Sequence, residues 1–212
     1  MGTLDRFNLT ELCMQNSINA LVETGTYLGA GIELAIKSNI ERIHSIEIDP
    51  DYYFRAVERY RENNQVSIHL GSSSSVLPSL LEYANLNYNC FFWLDAHFPM
   101  ADKGSVAYDH ETDQVKRMPL IHELSSIISR RCDYKDIIII DDLRCFTDDS
   151  RIKADSFDVH MSKLGHRGFN CTRQSVVGVT LNDILELTAD NYSPHFIYED
   201  EGYIILLRKE LK

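Results

Sequence analysis

Acidic side chains close successive stretches of this chain that read as strands: Glu23, Glu47, Asp95 and the pair Asp141-Asp142. In an open α/β sheet, ligands bind at the carboxyl ends of the strands, so these carboxylates are placed for chemistry. Asp95, Asp141 and Asp142 offer three hard oxygen donors, a set suited to a divalent ion such as Mg²⁺ with water and ligand hydroxyls completing its shell. Such an ion lowers the pKa of a bound hydroxyl and orients it. Glu47 lies 22 positions after Gly25. That spacing suits an acid whose two oxygens hold the neighbouring hydroxyls of a ribose. His97, two residues after Asp95, titrates near neutral pH and could act as general base or as metal ligand.

Strands, turns and helices must bring these groups together. Ile18 to Val22 is an apolar run that reads as a buried strand. It is followed by Glu23-Thr24-Gly25-Thr26-Tyr27-Leu28-Gly29-Ala30-Gly31 and then a helix to about Ser38. Strand, glycine turn and helix form the front half of a nucleotide-binding βαβ unit, in which glycines let the backbone approach a ligand. The spacing Glu23-x-Gly25-x-x-x-Gly29 differs from the dinucleotide G-x-G-x-x-G. Further strands are expected at 42–48, 66–70, 90–94 and 137–140, with helices at 9–15, 51–61 (capped by Asp49), 76–81, 119–131 and 181–187. The four serines after Gly71 read as a turn that caps the following helix. Residues 98–118 form the longest loop, 141–177 is irregular with a hairpin expected around Gly168, and 195–198 pairs with 203–207 as a terminal antiparallel hairpin. The alternation implies an α/β fold with a doubly wound, mainly parallel sheet, organised as one domain over residues 1–212.

Composition narrows the partners. The net charge of −11 disfavours nucleic acid, whose binders present a basic face to phosphates. No apolar run reaches the roughly 18 residues of a membrane span. Cys13, Cys90, Cys132, Cys145 and Cys171 form no C-x-x-C and leave an odd thiol. With no signal peptide, the expectation is a cytoplasmic protein with reduced cysteines.

Val22-Glu23-Thr24-Gly25, Ser45-Ile46-Glu47-Ile48 and Gly71-Ser72-Ser73-Ser74-Ser75-Val76-Leu77-Pro78 stand in the order of motifs of class I S-adenosylmethionine-dependent O-methyltransferases, which this chain resembles. Leu94-Asp95-Ala96-His97 and Ile140-Asp141-Asp142 are similar to the metal-binding strand ends of the catechol and macrocin-type sugar enzymes of that group. The similarity covers residues 18–145 and the terminal hairpin. It implies a Rossmann-like class I methyltransferase fold with S-adenosylmethionine held by Glu23, Gly25, Thr26, Gly29, Glu47, Ile48, Gly71, Ser72, Ser73 and Asp95. It also implies a divalent metal, Mg²⁺ first, on Asp95, Asp141 and Asp142, with His97 and Asp95 as the catalytic pair. Phe98 and Tyr108 are candidates to line an acceptor pocket, whereas Trp93 fits the core better. Arg144 would neutralise one of the acid pair or bind substrate.

The chain departs from the family at two points: macrocin-type enzymes carry an acid two residues after the fourth-strand aspartate, where this chain has His97, and the catechol-type base is missing as well. Catechol enzymes carry a lysine base shortly after the fourth-strand aspartate; here His97-Phe98-Pro99 stand there. The expected acceptor is therefore a saccharide or glycan hydroxyl, with a catechol or phenol as the alternative and a non-catalytic S-adenosylmethionine-binding module as the rival from another class. Aminopropyl transfer is a remoter option on the same scaffold, and a homodimer stays open.

Overall fold

The computed structural model describes residues 4–101, 106–163 and 176–210. The hairpin expected around Gly168 and Cys171 lie outside the described residues. The strands are β1 (Ile18–Thr24), β2 (Arg42–Glu47), β3 (Val66–Leu70), β4 (Asn89–Leu94), β5 (Ile137–Ile140), β6 (Tyr192–Ile197) and β7 (Tyr203–Arg208). They form one seven-stranded sheet in the order β3-β2-β1-β4-β5-β7-β6. β1 to β5 are mutually parallel; β7 runs antiparallel to both β5 and β6. The order reverses between β1 and β4, so their carboxyl ends flank the crevice where such sheets take ligands.

The helices are α1 (Leu9–Asn16), α2 (Ala30–Lys37), α3 (Pro50–Tyr60), α4 (Ser73–Tyr83), α5 (Gln114–Arg117), α6 (Leu120–Arg130), α7 (Phe157–Lys163) and α8 (Leu181–Thr188). None of the helices in the described residues is long and apolar enough to cross a membrane.

Strand alternation explains why the central strands are apolar along their whole length. Ile138 and Ile140 of β5 join one core with Ala20, Val22 and Phe92, while Ile137 and Ile139 join the other with Leu21, Phe91 and Trp93. A sheet covered on both faces needs apolar side chains at every position, and the run of four isoleucines supplies them. At the amino ends of β4 and β5, away from the crevice, the buried Arg131 guanidinium closes the end of α6. It donates to Asp136 at 2.6 and 2.9 Å and to the carbonyls of Leu86 and Tyr88 at 2.8 and 2.6 Å. The Cys90 amide donates to the same carboxylate at 2.7 Å. All three guanidinium nitrogens and both carboxylate oxygens of this ion pair are engaged, which is what makes its burial tolerable.

Several local expectations are refined. Pro50 opens α3 with Asp49 accepting from the Asp51 amide, as its spacing predicts. Ser72 takes the N-cap position of α4, but its hydroxyl bonds Ser74 Oγ at 2.8 Å instead of a backbone amide, and Ser73 to Ser75 already belong to the first turn. β6 begins at Tyr192 rather than at His195, because a fully buried Tyr192 extends the pairing and Pro194 is tolerated on the edge strand. The described part of the 98–118 loop is packed rather than loose: Phe98 and Tyr108 are buried and α5 lies within it.

Candidate functional site

β1, β4 and β5 are stitched together where they end. The Asp95 amide donates to Thr24 O at 3.2 Å and the Asp141 amide to Leu94 O at 3.1 Å, while the Gly71 amide reaches Glu47 O at 2.8 Å. These bonds fix the spacing of the side chains that follow each strand. The turn after β1 depends on Gly25, whose φ is +90° and where a Cβ would lie 3.0 Å from Asp95 O. A side chain there would be strained and would press on the β4 end.

A cavity of about 310 Å³ opens over these strand ends. On the β1–β2 side it is lined by Gly25, Tyr27, Glu47, Ile48, Asp49 and Tyr52, with Gly71, Ser72 and Ser73 from the start of α4. The Glu47 carboxylate is fixed by the amides of Tyr27 and Asp49, each at 2.8 Å on a different oxygen. Burial raises its pKa, and those two amides work against the rise. Each oxygen keeps further lone-pair capacity, so the held carboxylate can accept from a pair of neighbouring hydroxyls.

On the β4–β5 side stand Asp95, Ala96, His97 and Asp142. His97 Nε2 lies 3.0 Å from Asp142 Oδ2, and Nδ1 lies 3.6 Å from Asp95 Oδ1. One ligand atom from each of Asp95, His97 and Asp142 falls within 4.8 Å of the others. Arg144 Nε donates to the other Asp142 oxygen at 3.0 Å. Burial acts to raise the Asp142 pKa, but the hydrogen bond and charge of His97 and the charge of Arg144 outweigh it and hold the carboxyl low.

The sequence groups Asp141 with Asp95 and Asp142, and the structure separates it. Successive side chains leave a strand on opposite faces, and Asp142 turns further by adopting a left-handed φ of 56°. The Asp141 carboxylate is buried, accepts from the Asp142 amide at 2.8 Å, and does not line the cavity; burial and the Asp142 charge push its pKa up. His97 takes its place in the cluster. Three other expected residues also sit outside the lining. Thr26 is buried with its hydroxyl 2.6 Å from Ser45 Oγ, and Gly29 caps α2 against Tyr60. Glu23 lies under the turn, accepting from Ser45 Oγ at 2.6 Å, where a Cβ at Gly31 would run into its carboxylate.

Burial pushes the Glu23 carboxyl up to about 8, with the charge of Glu47 adding to it and the Ser45 hydroxyl opposing it. Glu123 is pushed to about 7, again mainly by burial, with Ser73 and Thr24 opposing the rise. Between the ordinary glutamate range and these values the native state binds more protons than the unfolded chain, so stability falls as pH rises. Denaturant melts from pH 5 to 9 should show the wild type losing stability relative to Glu23→Gln on the order of a few kcal/mol across that window. Parallel curves would mean that Glu23 is ionised in the fold.

Of the remaining lining, Phe98, Tyr108 and Arg144 are candidates on the sequence, whereas Lys116 and His160 give no signal there. Lys116, on α5, and His160, on α7, complete the lining with Arg144, Phe98, Pro99, Met100, Tyr108 and Pro119. Phe98 packs against Tyr108 (centroids 5.0 Å) and Phe157 (5.8 Å), and Tyr108 Oη lies 3.3 Å from His160 Nε2. Trp93 stays in the core. His110 and His122, which carry no inferable partner in the sequence, are exposed and outside the lining.

No family model matches this chain, and no curated protein does. Solved structures do. A protein described as a caffeoyl-CoA O-methyltransferase from Staphylococcus aureus superposes with a TM-score of 0.59 at 16% identity, over 99% of this chain and 85% of that one. A protein described as an O-methyltransferase from Klebsiella pneumoniae gives 0.55 at 13%, over 99% and 82%. The O-methyltransferase from Bacillus cereus in complex with SAH gives 0.52 at 14%, over 95% and 79%. The chain therefore has the class I methyltransferase fold: a mostly parallel seven-stranded sheet closed by the antiparallel hairpin β6–β7.

Proposed function

We propose that residues 1–212 form a single S-adenosylmethionine-dependent O-methyltransferase domain. The observation that carries this reading is the cavity at the switch point, with Glu47 held by two amides at one end and the Asp95–His97–Asp142 cluster at the other. Glu47 would accept from the two ribose hydroxyls, while Gly25 would let the backbone close on the cofactor and Gly71, Ser72 and Ser73 would hold its adenine. Thr26, Gly29 and Glu23 would act from beneath, by fixing the turn. Bound S-adenosylmethionine supplies a methyl group on a sulfonium, displaced in line onto the acceptor oxygen with S-adenosylhomocysteine as product.

The protein's task is then to position the hydroxyl and take its proton. A neutral His97 that donates from Nε2 to Asp142 presents the Nδ1 lone pair to a hydroxyl entering beside Asp95. The same three side chains suit a divalent ion, which would lower the pKa of the hydroxyl. An imidazole among two carboxylates shifts the preference from Mg²⁺ toward a first-row transition ion such as Mn²⁺. A saccharide or glycan hydroxyl is the acceptor we favour, since no lysine of the catechol type follows Asp95. The aromatic and apolar wall of Phe98, Met100 and Tyr108 supports a second reading, a catechol or phenol.

Titration calorimetry with S-adenosylmethionine and S-adenosylhomocysteine, without metal and with Mg²⁺ or Mn²⁺, tests the proposal. Micromolar binding of either is expected, followed by transfer of labelled methyl to a sugar or catechol acceptor. Absence of binding under every condition overturns the methyltransferase reading. Binding without transfer to any acceptor of either class leaves a cofactor-binding module.

A further inference from the structure

Arg144 lines the cavity from the turn Leu143–Cys145, directly after the left-handed Asp142. The terminal hairpin holds that turn: the Leu143 amide donates to Gly202 O at 2.9 Å and the Arg144 amide to Glu201 O at 3.0 Å. Gly202 permits the close approach, since a Cβ there would lie 2.9 Å from Leu143 Cβ. The Arg144 side chain is only 10% exposed. Backbone clamping and burial together fix where its guanidinium stands.

That guanidinium is balanced in charge but not in hydrogen bonds. Nε donates to Asp142 Oδ1 at 3.0 Å, whereas Nη2 stands 4.0 Å from Glu201 Oε1, near enough for charge and too far for a hydrogen bond. Neither Nη group makes a hydrogen bond among the described residues. Buried donors call for an acceptor, and these stand at the wall of the cavity. Asp142 and Glu201 already oppose the positive charge, so the group that fits is a neutral oxygen in preference to an anion. A guanidinium offers its Nη donors as a planar fork, which suits two neighbouring oxygens better than one. The other Asp142 oxygen meets His97 Nε2 at 3.0 Å, so one carboxylate sets the fork beside the imidazole.

We propose that Arg144 is a specificity-determining residue of the acceptor site, its Nη groups donating to the oxygen next to the hydroxyl that reaches His97. The inference rests on the transfer reading above and assigns a further residue of that same site. It selects a neutral compound with neighbouring oxygens over one with a lone hydroxyl. An acceptor without the second oxygen leaves buried donors unpaired, a loss that discriminates strongly.

The protein loaded with S-adenosylhomocysteine is titrated calorimetrically in EDTA, so that no bound ion can read the second oxygen. The ligands are catechol and phenol, cyclohexane-1,2-diol and cyclohexanol, and 3,4-dihydroxybenzoate. In at least one of the two ring classes the diol should bind about tenfold or more tightly than the lone alcohol, and dihydroxybenzoate should gain nothing over catechol. Arg144→Lys keeps a charge toward Asp142 but loses the fork, so the diol preference should fall to about twofold or less, as it should in Arg144→Gln. Retained S-adenosylhomocysteine affinity shows that the variants fold. A merely structural Arg144 would weaken diol and lone alcohol alike and leave their ratio unchanged. That result overturns the proposal, as do equal binding of diol and lone alcohol by the wild type, binding of neither diol, tighter binding of dihydroxybenzoate than of catechol, or loss of S-adenosylhomocysteine binding in both variants. Failure of S-adenosylhomocysteine to bind the wild type overturns the cofactor reading instead.

Discussion

Replacing Asp142 by asparagine is expected to lower methyl transfer by about 10²–10⁴-fold while leaving S-adenosylhomocysteine affinity within about twofold. Asp142 touches the two groups that define the reacting end of the cavity: Oδ2 meets His97 Nε2 at 3.0 Å and Oδ1 accepts from Arg144 at 3.0 Å. The carboxylate fixes which imidazole nitrogen carries the proton, and an amide in its place can present its NH₂ to either partner, reversing the tautomer or displacing Arg144. Asp141→Asn is the paired control. Its carboxylate faces the backbone of Asp142 and not the cavity, so its loss should appear mainly in stability. Initial rates with labelled cofactor separate the two. Equal losses from both variants would restore the acid pair as a joint metal site. Chelation divides the roles of His97: a rate abolished by EDTA and restored by Mn²⁺ or Mg²⁺ makes His97 a ligand, whereas a rate indifferent to EDTA makes it the base.

The contrast between Asp141 and Asp142 shows where reading the chain alone reaches its limit. The strands themselves were legible because a sheet buried on both faces demands unbroken apolar runs, as in Ile137–Ile140. The placing of acids at their carboxyl ends follows from where those runs stop. What a run does not reveal is the turn after it. The left-handed φ of Asp142 decides which of two adjacent carboxylates enters the cavity, and aspartate gives only a weak signal for that conformation. Glu23 fails to show itself for a related reason: its carboxylate lies on Gly31, a residue that reads as an ordinary helix glycine. Lys116 and His160 come from stretches without periodicity, and only long-range packing of α5 and α7 against Phe98 and Tyr108 brings them to the strand ends.

Glu47→Ala should weaken S-adenosylmethionine and S-adenosylhomocysteine alike, by about 10²–10³-fold, and abolish the thermal shift that either ligand produces. The carboxylate sits at the end of β2 and is held from both sides by the amides of Tyr27 and Asp49, so its position is set before any ligand arrives. Two charge-assisted hydrogen bonds to a ribose would then cost little ordering, and each would contribute roughly 1.5–3 kcal/mol. Glu47→Gln should fall nearly as far. Its amide nitrogen would meet one of the two backbone N–H groups that now donate to an oxygen, so the side chain must rotate away or leave a buried donor unpaired. Because the ribose is common to substrate and product, the ratio of the two affinities should not change, which distinguishes Glu47 from any group that senses the sulfonium charge. Calorimetry on both ligands gives that ratio directly. A selective loss of S-adenosylmethionine would place Glu47 near the sulfur, and unchanged affinity for both would remove the acid at the end of β2 from the cofactor site altogether.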